Sequence, residues 1–189
     1  VKIVGISGSI VGSKTRIAVE HVLKYISNHY DSVEVELIDI KDYELVFSDG
    51  RPVDSYTGDT KIVLEKILDS DGILIGTPTF QASIPGTLKN LFDLLPMDAF
   101  HDKAIGILAT AGSAKHYLVP EQHLKPILTY MLGWVLPKYV FIEEKDFTNY
   151  VLTNQNVLDR LTILADQLIQ STKQMKKNKI QPSSFSFKP

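Results

Sequence analysis

The residues able to do chemistry in this sequence lie in three short runs of glycine, hydroxyl and proline residues. The first, Gly8-Ser9-Ile10-Val11-Gly12-Ser13-Lys14-Thr15, follows the apolar residues Val1, Ile3, Val4 and Ile6 and leads at once into an amphipathic segment, residues 17–26. A strand, a Gly/Ser loop and a helix start in that order make an anion site, because free backbone N–H groups and the positive end of the helix dipole converge on one point and hydroxyls add donors. A phosphate-bearing ligand is the natural occupant. The spacing excludes two common phosphate motifs. A Walker A loop, G-x-x-x-x-G-K-[ST], fails because Ser13 separates Gly12 from Lys14, and the strand GILIG ends in Thr77-Pro78 with no magnesium carboxylate. The dinucleotide fingerprint G-x-G-x-x-G is absent, since the glycines fall at 5, 8 and 12. What remains is a nest for one phosphate monoester with Ser9, Ser13 and Thr15 as donors, or else a tight turn with Ser13 or Thr15 as a helix cap.

The second run is Thr77-Pro78-Thr79-Phe80-Gln81-Ala82-Ser83. A flat ring would fit there, with Phe80 as an apolar wall and the Gln81 amide and backbone N–H groups on its polar edge. A crossover loop with Phe80 tucked into the core is an equal reading. The third run, Thr110-Ala111-Gly112-Ser113, would let the same ring approach the backbone closely. His116 follows, and a lone histidine is more often a surface residue than a catalyst. The other histidines have no partner at metal-ligand spacing, and Ser9 has no His or Asp in an elbow pattern, so neither a metal centre nor a serine hydrolase is expected. Glu143-Glu144 reads as solvated charge.

These runs need a scaffold. Strands are expected at residues 1–7, 32–40, 72–76, 103–109 and 135–143. Helices are expected at 14–28, 59–68, 87–95, 122–132 and 152–175, with Pro126 kinking its helix or marking the true start, and Pro137 arguing for an edge strand. Residues 41–58 form a long loop. Five strands alternating with helices imply a parallel sheet covered on both faces. In such sheets ligands bind beyond the carboxyl ends of the strands, where the winding reverses, and all three runs lie at such ends. The 189 residues suit one domain, at residues 1–175, followed by a loose tail at 176–189. A formal net charge of -2 argues against nucleic-acid binding, and the lack of cysteine excludes disulfides, thiolate metal sites and thiol nucleophiles. No apolar run reaches a membrane span and the start reads as a strand, not a leader, so a cytoplasmic protein is expected.

Taken together, GSIVGSKT, GTPTFQASIPGTLKNLFDLLP and LATAGSAKH with LKPIL downstream resemble the NADPH-dependent FMN reductase family, which includes small azoreductases and quinone reductases. The middle stretch, Gly76 to Asp93, carries the resemblance most specifically, and the whole likeness spans roughly residues 1–147. It implies an α/β flavodoxin-like fold, five parallel strands in the order 2-1-3-4-5 with helices on both faces. It implies FMN as cofactor and NADPH or NADH as donor. By this resemblance Ser9, Ser13, Thr15 and, in part, Lys14 hold the FMN phosphate, Pro78, Thr79, Phe80 and Gln81 line the isoalloxazine, and Thr110, Gly112 and Ser113 meet its other edge. The helix with Leu88, Leu91, Phe92 and Leu95 would serve both core and a homodimer or homotetramer. The family's first loop usually carries an arginine where Ile10-Val11 stand. The implied activity is an NAD(P)H oxidoreductase passing electrons through flavin to a small-molecule acceptor: a quinone, azo compound, metal ion or free flavin. No protein acid or base is assigned, because the cofactor carries the chemistry. The competing reading is a non-enzymatic flavodoxin-like electron carrier or binding protein.

Overall fold

The computed structural model describes residues 1–179, and its centre is a parallel sheet whose middle strands are buried on both faces. Strands β1 (Lys2–Ser7), β3 (Gly72–Pro78) and β4 (Ala104–Ala111) form the middle, and β2 (Glu34–Asp39) lies outside β1. All pairings in this sheet are parallel. Ile73 and Ile75 of β3 point to one face and Leu74 to the other, the period-two alternation of a strand that packs helices on both sides. On one face α2 (Gly58–Leu68), α3 (Gly86–Leu94) and α4 (Lys125–Tyr130) supply Val63, Leu88, Leu91 and Leu128. On the other, α1 (Lys14–His29) and α5 (Gln155–Lys179) supply Val19, Val22, Leu161, Leu164 and Leu168. The order β2-β1-β3-β4 followed by the fifth position is the expected flavodoxin-like order.

The fifth position departs from the single strand expected at 135–143. It is filled by two short strands, β5 (Trp134–Val135) beside Ala104 and Ile105, and β6 (Val140–Glu143) beside Leu108 to Ala111. Pro137 falls between them. It has no N–H for the ladder, and the break sits on the outer edge where that loss is tolerated. Strands β3 and β4 each run two residues past their expected ends, so Thr77, Pro78, Thr110 and Ala111 are strand residues, with Pro78 opposite Thr110. Pro126 marks the true start of α4: it stands in the first turn, after a wide π turn at Pro120–Leu124. Helix α5 continues to Lys179, so the first four residues of the expected tail are helical. Residues 180–189, the rest of that tail, lie outside the described residues. Among the described residues no helix is long and apolar enough to cross a membrane, and no group of three His, Asp or Glu side chains could hold a metal.

Candidate flavin site

The three loops converge at the carboxyl end of the sheet because the strands that carry them are neighbours in register. Gly8 N donates to Gly76 O at 2.8 Å, and Thr79 N donates to Thr110 O at 2.9 Å, so backbone bonds tie the first loop to β3 and the second to β4. Thr15 Oγ1 and Thr110 Oγ1 lie 2.7 Å apart, a buried link between the start of α1 and the end of β4. Gly8 fits this seam because it has no side chain: a Cβ there would come within 2.9 Å of Gly76 O.

Between the loops lies a cleft of about 260 Å³. Of the expected residues, Ser13, Lys14, Thr15, Pro78, Thr79, Phe80, Thr110 and Gly112 line it. Ser9, Gln81 and Ser113 are not among the lining residues, and each shapes its own loop. Ser9 Oγ donates to Val11 O at 2.6 Å and accepts from Val11 N at 3.2 Å. Ser113 accepts from Lys115 N at 3.2 Å. Gln81 and Ala82 have left-handed φ of 47° and 58° and form the tip of a tight turn in which Phe80 and Ser83 exchange backbone bonds of 2.9 Å.

The donor set suits a phosphate-bearing aromatic ligand. Ser13 stands at the N-cap of α1, yet its side chain makes no capping bond, which leaves the hydroxyl for a ligand. Gly12 has φ of 76° and open space where a Cβ would be, so the backbone is bare at the helix start. Thr79 Oγ1 is buried without a hydrogen-bond partner, a polar atom that a ring's polar edge would satisfy.

The outer wall of the cleft comes from residues to which the sequence assigned no part in a site: Glu143 and Glu144, expected as solvated charge, and Phe147 and Tyr150. After β6 the chain makes a turn (Glu144–Asp146) and a two-residue hairpin, β7 (Phe147–Thr148) and β8 (Val151–Leu152). Glu143, Glu144, Phe147 and Tyr150 from this stretch line the cleft. Buried Asp146 organises it: its carboxylate accepts from Glu143 N at 2.7 Å and Asn154 Nδ2 at 2.6 Å, and its carbonyl accepts from Thr153 N at 3.0 Å. Tyr150 holds a left-handed φ of 62°, a costly backbone for a bulky residue and a mark of functional loops. The rule that sites lie at the carboxyl ends of strands, applied to the fifth strand as well, points to this stretch.

Charge at the cleft is mixed. Lys14 Nζ is ion-paired with Glu144 and lies 5.7 Å from the centroid of the Phe147 ring. Glu143 pairs with Lys145 at 2.8 Å, a contact that raises the lysine above its ordinary pKa. Arg16 is outside the cleft lining and held by Glu20 at 2.7 Å and by Asp39 and Asp42 at 3.1 Å. At the first-loop tip, Ile10 and Val11 are exposed.

The sheet order, with three hydroxyl-rich loops at its carboxyl ends, places the chain in the flavodoxin-like class of α/β proteins. Residues 1–147 match the family model described as NADPH-dependent FMN reductase, and the chain belongs to that family. It is 41% identical over 169 residues to an NAD(P)H-dependent FAD/FMN reductase of Geobacillus thermodenitrificans, covering 89% of this chain and 91% of the relative. It is 28% identical over 157 residues to an FMN-dependent NADPH-azoreductase of Staphylococcus aureus, covering 77% and 83%. The solved apo structure of the NADH:FMN oxidoreductase EMOB superposes with a TM-score of 0.75 at 26% identity, over 90% of this chain and 89% of that one. Flavin-dependent oxidoreductase activity, with FMN as cofactor and NAD(P)H as donor, comes with this membership. That sets aside the electron-carrier reading.

Proposed function

We propose that this protein is an NAD(P)H:flavin oxidoreductase that holds FMN in the cleft and passes electrons to free flavin. The observation that carries the placement of FMN is Ser13, an N-cap serine with no capping bond at the head of α1. In this reading the Ser13 hydroxyl and the amides of the first loop hold the phosphate, with Lys14 at its edge. Pro78, Thr79 and Phe80 flank one side of the ring, Thr110 and Gly112 the other, and Phe147 and Tyr150 shield it from water. Ser9, Gln81 and Ser113 set the shapes of the three loops. Bound there, FMN supplies the hydride and electron chemistry; the chain's own residues bind, orient and exclude water, and none is assigned a proton.

Free flavin as the acceptor is favoured by the name of the relative from Geobacillus, at 41% identity. An azo compound is the second reading, favoured by the relative from Staphylococcus at 28%. A homo-oligomer, dimer or tetramer, and a cytoplasmic setting, where NAD(P)H is regenerated, complete the proposal. The test is steady-state oxidation of NADH and NADPH with FMN, FAD, a quinone or an azo dye as acceptor, alongside FMN titration. Turnover fastest with free flavin is expected. Turnover only with the azo dye moves the reaction to the second reading, and a chain that neither binds FMN nor oxidises NAD(P)H with added flavin defeats both.

A further inference from the structure

The cleft that must accept a phosphate carries one cation and two carboxylates among its lining side chains, Lys14 against Glu143 and Glu144. A phosphate dianion meets net negative side chains there, so amides and hydroxyls must supply most of its hold. The one cation is already engaged. Lys14 Nζ pairs with Glu144 across 130 residues of sequence and rests against the Phe147 ring. The lysine side chain is 26% exposed and the glutamate 66%, so the lysine end is the more confined and the glutamate end is free to move.

Among the described residues, Lys14 is the one group that holds the Glu144 carboxylate. Its neighbour Glu143 is fixed by Lys145 and by the reciprocal cap with Asp146, and Asp146 is fixed by Asn154. The rigid part of the turn therefore presents Glu144 at the mouth of the cleft, opposite the head of α1. A ligand phosphate at Ser13 would sit one residue from Lys14 and draw the ammonium away from Glu144.

We propose that Glu144 is a positioning residue that competes with the flavin phosphate for Lys14, so that FMN binds weakly and exchanges readily. This rests on the flavin reading given above. The competition sets the sign of an otherwise unexpected effect. Glu144→Gln frees Lys14; the like charge it also removes is largely exposed and screened, so that part of the gain is small. FMN then binds about threefold to tenfold more tightly, with most of the change in the dissociation rate. Lys14→Met alone weakens FMN by about twofold or less, because the charge it removes is already neutralised. In the Lys14→Met background, Glu144→Gln gains less than about twofold.

The experiment is a double-mutant cycle on the full chain, with FMN affinity read by quenching of flavin fluorescence and dissociation by stopped-flow displacement. A merely structural role for Glu144 would loosen the turn and weaken FMN, the opposite sign. Tighter binding and slower release in Glu144→Gln, lost in the Lys14→Met background, is the expected result. Unchanged or weaker binding in Glu144→Gln, or an equal gain without Lys14, overturns the competition while leaving the flavin reading intact. A wild-type chain that binds no FMN overturns the flavin reading and the competition with it.

Discussion

An N-cap serine ordinarily accepts a bond from an amide in the first helical turn, and replacing it with alanine costs about 1 kcal/mol. Ser13 makes no such bond, so its hydroxyl stabilises α1 little and remains available to a ligand. Ser13→Ala is expected to change the free energy of urea unfolding by less than about 0.5 kcal/mol and to weaken FMN binding by about threefold to tenfold. Ser13→Glu sets a carboxylate beside the phosphate and abolishes binding with the fold retained. Loss of stability with unchanged flavin affinity would return Ser13 to a plain cap. The residue types in the first loop were enough to mark it as a wall of the cleft, and the neighbourhood of Thr15 and Thr110 follows from strand order. Three of the expected residues face their own loops because their positions were read from sequence adjacency: Ser9 bonds to Val11, Ser113 to Lys115, and Gln81 sits on a turn tip. Side-chain direction within a tight loop depends on backbone angles that residue type leaves undetermined, as the left-handed φ at Gln81 illustrates.

At the scale of elements, strands and helices were legible wherever the apolar period was long, as in β3, β4, α1 and α5. The return after the fifth strand was not. Its hairpin strands are two residues each, too short for any period, and the buried role of Asp146 exists only once Asn154 folds back on it. Glu144 read as solvated because its partner is Lys14, at the other side of the cleft. Pro137 was visible, yet its effect, a split strand, depends on which residues of β4 stand opposite. Asp146 tests whether this return is one unit. Asp146→Ala removes the acceptors for Glu143 N and Asn154 Nδ2 and leaves both donors unpaired. Bonds to a charged group are worth about 1.5–3 kcal/mol, so a loss of about 2–4 kcal/mol is expected, less in Asp146→Asn, which keeps one acceptor. Hydrogen exchange should speed up at residues 143–154 and stay slow in β1, β3 and β4. FMN affinity should fall with it, since Phe147 and Tyr150 ride on the same turn. Uniform acceleration across the sheet would mean that Asp146 supports the core and not the cleft wall.

At the scale of the whole molecule, what α3 offers a second copy is not its leucines. Leu88, Leu91, Phe92 and Leu95 are all buried in the chain's own core, so the dual use read from their spacing is spent on one side. Apart from an edge of Phe92, the apolar surface near α3 comes instead from residues outside that stripe. Phe47 is 84% exposed, yet its loop is held to α3: Ser48 N donates to Asn90 Oδ1, and Asn90 Nδ2 to Val46 O, both at 2.9 Å. Nearby, a groove runs between α3 and α4, its apolar lining Phe92, Pro126, Ile127, Tyr130 and Met131 flanked by the Lys89–Asp93 ion pair, with Tyr130 and Met97 joined by a 3.2 Å contact at its end. A fixed, exposed aromatic beside this groove is costly in water and would be relieved if a second copy supplied the groove and received the aromatic, the reciprocity that the proposed oligomer calls for. The expected outcome is a dimer or tetramer of the wild type by sedimentation at micromolar concentration. Phe47→Ser with Tyr130→Ser should shift it to monomer, with unchanged circular dichroism and an unfolding free energy within about 1 kcal/mol, because both side chains are exposed in the single copy. If the wild type sediments as a monomer, the proposal of an oligomer fails. If the double variant remains an oligomer, the interface lies elsewhere, and the open edge strands β2, β5 and β6 offer unpaired backbone for it.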